Sequence, residues 1–169
     1  RNVGRIEYIH GGVARNVGED IANVELRPTF LSIVDDTPMG ESVLKKLQRH
    51  KVNCDYVLPV PGGMGTWLAV FDNNGDVAGS ISCRPNFYPI LNVLETKGDE
   101  IFSQADSVVI QVDAHKDIVK KVFELAEKYH TKLFALVSNM SIAAERRDFL
   151  QRFDCFICNQ LEAGLLFLD

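Results

Sequence analysis

The second half of the chain alternates between two hydrophobic patterns. Short apolar runs stand at 106–113 (DSVVIQVD), 131–137 (TKLFALV) and 154–158 (DCFIC). Each is too short for an ordinary helix and reads as a strand buried on both faces. Between them the spacing changes. In residues 116–130, Ile118, Val119, Val122, Phe123 and Ala126 recur at three- and four-residue intervals and predict an amphipathic helix. Residues 141–153 predict a second helix with Ser141 as its N-cap, and 159–169 open a third. The order β-α-β-α-β-α with short connections implies a parallel sheet, covered on both faces and joined by right-handed crossovers.

The first half is patterned differently. Residues 3–10 (VGRIEYIH) alternate like a half-buried strand, 13–24 predict a helix, 29–34 (TFLSIV) a strand and 40–51 a helix. Three alternating runs follow at 54–60, 66–72 and 77–83, and NNGD at 73–76 is a strong hairpin signal. These runs look one-sided and predict a small antiparallel sheet that projects from the parallel part. A sheet exposed on one face usually covers a ligand or a partner. The expected division is an α/β core of 11–53 and 84–169 and a β lid of 1–10 and 54–83. Residues 59–65 (PVPGGMG) form a flexible connection, and 87–100 lead back to the main sheet.

Composition narrows the classes of function. At 169 residues the chain is long enough for one domain with a real core, and its 46% hydrophobic and 24% charged content is ordinary for a globular protein. A net charge of -5 argues against nucleic acid or an anionic membrane as partner, since phosphate binding needs clustered Lys and Arg. No apolar run approaches the roughly 20 residues that span a bilayer. The chain shows no signal peptide and no initiator Met, so it reads as an internal fragment or a processed product. Cys155 and Cys158 form C-x-x-C, but no second ligand pair completes a zinc site. They lie in an apolar run that reads as a strand, whereas a redox pair opens a helix. Such cysteine use suits a reducing cytoplasm.

The candidate chemistry begins at IHGGVARNVGEDIANVELRP, residues 9–28. Two glycines before a helix allow a tight turn and leave the first helical N–H groups uncovered, which suits anions or hydroxyl oxygens. The dinucleotide-binding G-x-G-x-x-G and the P-loop Gly-Lys-Ser/Thr are both absent. Asn16 stands one helical turn beyond Gly12, on the same face, with an amide that can donate and accept as a polyol demands. Asp113 lies at the carboxyl end of a strand, where open α/β sheets bind ligands, or it caps the helix near Lys116. Asn159 follows a strand and precedes a helix, so on position alone it is an N-cap.

The stretch GGVARNVGEDIA resembles the first motif of the ribokinase-like (PfkB) sugar and nucleoside kinases, and other pieces agree in order. SIVDDTPMGESVLKKLQRHKVNCD resembles their strand, acidic turn, Gly and helix, GTWLAVFDNNGD their lid hairpin, DSVVIQVDAH the strand ending beside the substrate, and FDCFICNQLEAGLLF the strand and helix of their N-x-x-E motif. GGVARN, TWLAVFDNNG and Val137-Ser138 are most similar to the pseudouridine kinase branch. The resemblance covers essentially the whole chain. It implies a ribokinase-like three-layer α/β sandwich, here incomplete, with a mostly parallel sheet and a small antiparallel β lid. It implies that the backbone of Gly11 and Gly12 meets the sugar, that Asn16 bonds sugar hydroxyls, and that Asp113 touches the substrate. Thr66 would lie in the lid over the ligand. Asn159 and Glu162 would order ATP phosphates and Mg²⁺, with Glu162 acting through water. Trp67 and Phe71 share one strand face and read as lid packing or a homodimer contact.

The sequence departs from the family pattern in three places. Gly18 replaces a small Ala or Ser, while Glu25 and Asp35 stand where the family has Gly. A non-Gly residue at positive φ is strained, so the local turns are expected to be remodelled. The Gly-Ala-Gly-Asp run, whose Asp is the family's general base, does not occur in residues 1–169. The resemblance therefore implies a fragment of a cytoplasmic ATP-dependent kinase acting on a sugar or nucleoside (ribose-, fructose- or pseudouridine-like), inactive by itself. The alternative is a non-catalytic module that reuses the fold for binding or dimerisation.

Overall fold

The structure, a computed structural model, describes residues 4–137, 140–145 and 147–167. Its elements run α1 (Val13–Asn23), β1 (Thr29–Val34), α2 (Pro38–Arg49), β2 (Asn53–Pro59), β3 (Thr66–Phe71), β4 (Val77–Cys83), α3 (Tyr88–Phe102), β5 (Ser107–Gln111), α4 (Lys116–Tyr129), β6 (Lys132–Leu136), α5 (Met140–Glu145), α6 (Arg147–Leu150), β7 (Cys155–Ile157) and α7 (Gln160–Phe167). β5, β6 and β7 form a parallel ladder in that order, and β1 and β2 form a second parallel pair. β3 and β4 form the antiparallel hairpin around the NNGD turn, where Gly75 takes φ 87°.

Burial follows the helical periodicity. Ile118, Val119, Val122, Phe123, Leu125 and Ala126 of α4 pack with Leu94 and Phe102 of α3, Leu133 of β6 and Phe149 of α6. A second cluster lies between α1, α2, β1 and β2, with Leu47 fully buried among Ala22, Val34, Val43 and Val57. The third, built on Val112, Ala135, Val137, Ala143, Leu150 and Leu166, underlies the ends of β5 and β6. Among the described residues no ladder joins β1–β2 to β5–β6–β7. α1 packs on both β1 and β5, and α3 packs on both β1 and α4, so helices bridge the two parallel pieces.

Four expectations change. Residues 4–10 form no strand, and Ile6, Tyr8 and Ile9 are exposed. Alternation alone does not make a strand, because the backbone needs a partner for its hydrogen bonds, and none of the described residues supplies one. Residues 54–60 do not join the antiparallel hairpin. As β2 they pair in parallel with β1, with Leu31 opposite Tyr56 and Val34 opposite Pro59. Residues 87–100, for which no element was predicted, form most of α3 and lead into β5. Ser141 is the second residue of a helix that begins at Met140 rather than its cap.

The two positions where a glycine was missed behave differently. Glu25 does take φ 65°, just past the end of α1. Asp35 does not lie at positive φ. Its carboxylate accepts a hydrogen bond from the Gly62 N–H at 3.0 Å, so that turn gains a side-chain tie without backbone strain.

Candidate active site at the strand ends

The turn before α1 is built around a buried arginine. Gly12 is the N-cap at φ 101°, a conformation open to glycine, and Gly11 has open space where a side chain would be. The Gly12 carbonyl accepts the first helical bond, from the Asn16 N–H at 2.9 Å. Arg15, only 8% exposed, folds back over the turn. Its Nε donates to the Gly11 carbonyl at 2.9 Å, and one Nη donates to the His10 carbonyl at 2.7 Å and to Asn16 Oδ1 at 2.5 Å. The other Nη pairs with Glu19, whose second oxygen faces Lys46 Nζ at 3.7 Å. Asn16 itself is exposed at the mouth of the turn.

The hairpin is rooted at both ends beside strand termini. On the outgoing side, the Val60 N–H donates to the Val34 carbonyl at 2.8 Å. Gly63 lies so close to the same carbonyl that a Cβ would stand 2.4 Å from it. On the returning side, Arg84 forms an ion pair with Asp113 at 2.9 Å, and Asp113 keeps only 10% of its side chain exposed. Tyr88 and His115 place their rings 4.7 Å apart. Thr66, paired with Cys83, opens the hairpin next to these roots and is exposed. The ends of β1 and β5 thus meet one lid. Asp113 does not cap α4. That place belongs to His115, whose Nδ1 accepts the Asp117 N–H.

Asn159 and Glu162 are joined to each other. The Glu162 N–H donates to Asn159 Oδ1 at 2.8 Å, and the Asn159 N–H donates to Glu162 Oε2 at 2.7 Å. This reciprocal capping box begins α7 and accounts for the three-residue spacing by itself. Gln111, Leu136 and Ile157 stand side by side across the sheet, and the bonds Val112 N–H to Leu136 carbonyl and Val137 N–H to Ile157 carbonyl carry the ladder one residue further. Asp113 and Asn159 each lie two residues beyond that row. The strands that they follow, β5 and β7, are two interstrand spacings or about 10 Å apart.

The sequence profile of the pfkB family carbohydrate kinases matches residues 2–168. The chain belongs to that family. Guanosine-inosine kinase of Exiguobacterium acetylicum is 32% identical over 167 residues, which is 98% of this chain and 55% of that protein. Pseudouridine kinase of Escherichia coli K12 is 32% identical over 82 residues, 48% of this chain and 26% of that protein. The pfkB chain spans about half the length of the guanosine-inosine kinase it matches. Among solved structures, adenosine kinase from Sinorhizobium meliloti superposes with a TM-score of 0.76 at 17% identity, covering 94% of this chain and 51% of that one. The fold is accordingly ribokinase-like α/β, with parallel sheets and a small antiparallel pair.

Within the pfkB chain the expected site residues fall into three groups: the α1 turn with Gly11, Gly12 and Asn16, the lid root with Thr66 and Asp113, and the α7 start with Asn159 and Glu162. Arg15 and Arg84 were not singled out from sequence. An arginine inside GGVARN reads as a solvated helix residue, although Glu19 four positions on was a signal of a paired, inward side chain. Nothing local in CRPNF marked Arg84. Among the described residues no three His, Cys, Asp or Glu side chains gather as a metal cage, and no helix is long and apolar enough to cross a membrane.

Proposed function

We propose that this chain provides the acceptor floor, the lid and part of the nucleotide site of an ATP-dependent kinase that phosphorylates a hydroxyl of a nucleoside. The observation that carries this reading is that Asp113 and Asn159 each stand two residues past the carboxyl end of a strand of one parallel sheet. About 10 Å between the two strands leaves room for a sugar hydroxyl at the end of one and nucleotide phosphates at the end of the other. In this reading Gly11, Gly12, Asn16, Asp113 and Thr66 hold the acceptor, and Asn159 with the N–H groups of α7 faces the phosphates. Glu162 is the single carboxylate for Mg²⁺. Such an ion keeps most of its waters and is held chiefly by phosphate oxygens, so one carboxylate acting through water fits it better than a protein cage. Mg²⁺ would supply charge neutralisation on those phosphates. The protein's part is positioning and electrostatics, and the general base lies outside residues 1–169.

A nucleoside is preferred to a free sugar because the likeness to guanosine-inosine kinase runs through nearly the whole chain. The hairpin supports a homodimer through the lid. Trp67 and Phe71 on one face and Leu68 and Ile81 on the other are all more than half exposed, and a two-stranded hairpin is marginal without cover. The setting is the cytoplasm. The test is phosphoryl transfer from ATP, using the polypeptide from the complete reading frame and, beside it, residues 1–169. Guanosine, inosine, pseudouridine, ribose and fructose are offered as acceptors. Product is expected with a nucleoside and the longer polypeptide only. Turnover by residues 1–169, or a free sugar preferred over every nucleoside, overturns the corresponding part.

A further inference from the structure

The Arg15 cluster constrains what the glycine turn can offer a ligand. A guanidinium only donates. Its contact with Asn16 therefore has to be made to the amide oxygen, which leaves the Asn16 –NH₂ as the group presented outward. The same side chain occupies the carbonyls of His10 and Gly11, the two backbone acceptors that lead into the turn. The Gly12 carbonyl is taken by the helix. What remains at the turn is a set of donors: the Asn16 amide protons and the first-turn N–H groups of α1, which have no acceptor within the helix.

We propose that Arg15 is a positioning residue for acceptor binding. It locks the turn and the Asn16 amide so that this side of the site meets ligand oxygens chiefly as a donor. This rests on the acceptor reading above. The ligand class that follows is one whose hydroxyls accept from the α1 turn and donate their own protons elsewhere in the site. A diol satisfies both sides. A protonated ligand amine at the same place presents only N–H groups to donors and is disfavoured.

The experiment compares Arg15→Lys, Arg15→Met and Ala22→Gly in the full-length polypeptide. Ala22 is buried at the far end of α1, so its replacement loosens the same helix without touching the turn. Both Arg15 variants are expected to raise the acceptor KM at least tenfold while changing the ATP KM less than twofold. Lysine has one nitrogen where Arg15 reaches its four partners from three, so it gives only partial rescue. Ala22→Gly lowers Tm but leaves the acceptor KM unchanged. Nitrogen-15 spectra provide a readout independent of turnover. The Asn16 side-chain amide signal should move and exchange faster in both Arg15 variants than in the wild type. Equal changes in both KM values, or an acceptor KM that tracks Tm in all three variants, overturns the proposal. So does an Asn16 amide indifferent to Arg15. If the wild type phosphorylates no nucleoside while the Asn16 signal still responds to Arg15, the acceptor reading fails and the locking of the amide stands.

Discussion

Replacing Glu25 by Gly should stabilise the protein, and the amount can be built from three contributions. Glu25 sits at φ 65° immediately after α1, with its N–H bonded to the Ala22 carbonyl at 3.1 Å. A side chain in this left-handed conformation costs about 1–2 kcal/mol, and Gly relieves it. Gly also gives the unfolded chain more freedom, which takes back about 0.5–1 kcal/mol. A carboxylate beside the negative end of a helix is unfavourable by about 0.3–1 kcal/mol, and its removal helps any neutral replacement. Glu25→Gly is thus expected to gain about 1–1.5 kcal/mol, while Glu25→Ala gains only the charge part, below about 1 kcal/mol. For a domain of this size each kcal/mol is worth about 2–4 °C in Tm. Urea and thermal unfolding of both variants at one pH and salt concentration measure the difference. If alanine stabilises as much as glycine, the backbone at position 25 is not strained and the reasoning is wrong.

Gly40 should refuse even alanine. Its helical φ is unexceptional, but a Cβ would stand 1.9 Å from the Asp35 carbonyl oxygen. That backbone clash, about 1–3 kcal/mol or more, outweighs the roughly 1 kcal/mol that Ala gains in a helix, so Gly40→Ala should lower the urea midpoint. Asn159→Ala should cost about 1 kcal/mol by removing a cap. Asn159→Asp should keep the cap and Tm yet weaken nucleotide binding, measured by titration calorimetry, because it sets a negative charge against phosphate. The hydrogen bond from Lys128, followed by one from Tyr129, holds the Asp99 carboxyl below its ordinary range. Its stabilising effect is therefore complete above the ordinary carboxylate pKa and is lost as pH falls through the depressed value. Asp99→Asn should flatten the acid limb of a Tm-against-pH curve.

Much of the second half was legible because its periods were clean and its connections short. α4, β5, β6 and β7 lie within the predicted bounds, since a continuous apolar run and a three-four repeat have few other solutions. α3 was hidden by its own punctuation. Pro89 at its start and Gly98 within it interrupt the helical pattern, although Pro suits the first turn of a helix. Gly98 faces Leu125 so closely that a Cβ would lie 2.5 Å from the leucine's methyl, which explains a glycine there by helix contact and not by a turn. β2 misled for another reason. Asn53, Asp55 and Pro59 give it an alternating look because it is half-exposed, and alternation reports one covered face without saying which strand lies alongside. At the candidate site, GGVARN showed the glycine turn before α1, but the buried path of Arg15 depends on the chain doubling back over residues 10–12. That fold-back is a tertiary fact that no periodicity encodes.

The two roots of the hairpin bear on where this protein can change over time. Gly63 under the Val34 carbonyl and Arg84 on Asp113 tie both legs to strand ends, so an added residue at either leg would shift the register of the whole hairpin above it. Among the described residues the Asn73–Asp76 tip has no such ties beyond its own turn, where Asp72 accepts the N–H groups of Asn74 and Asp76. Insertions, tags and natural length variation belong at that tip, and a peptide spliced in there would ride on the lid without altering what lies beneath it.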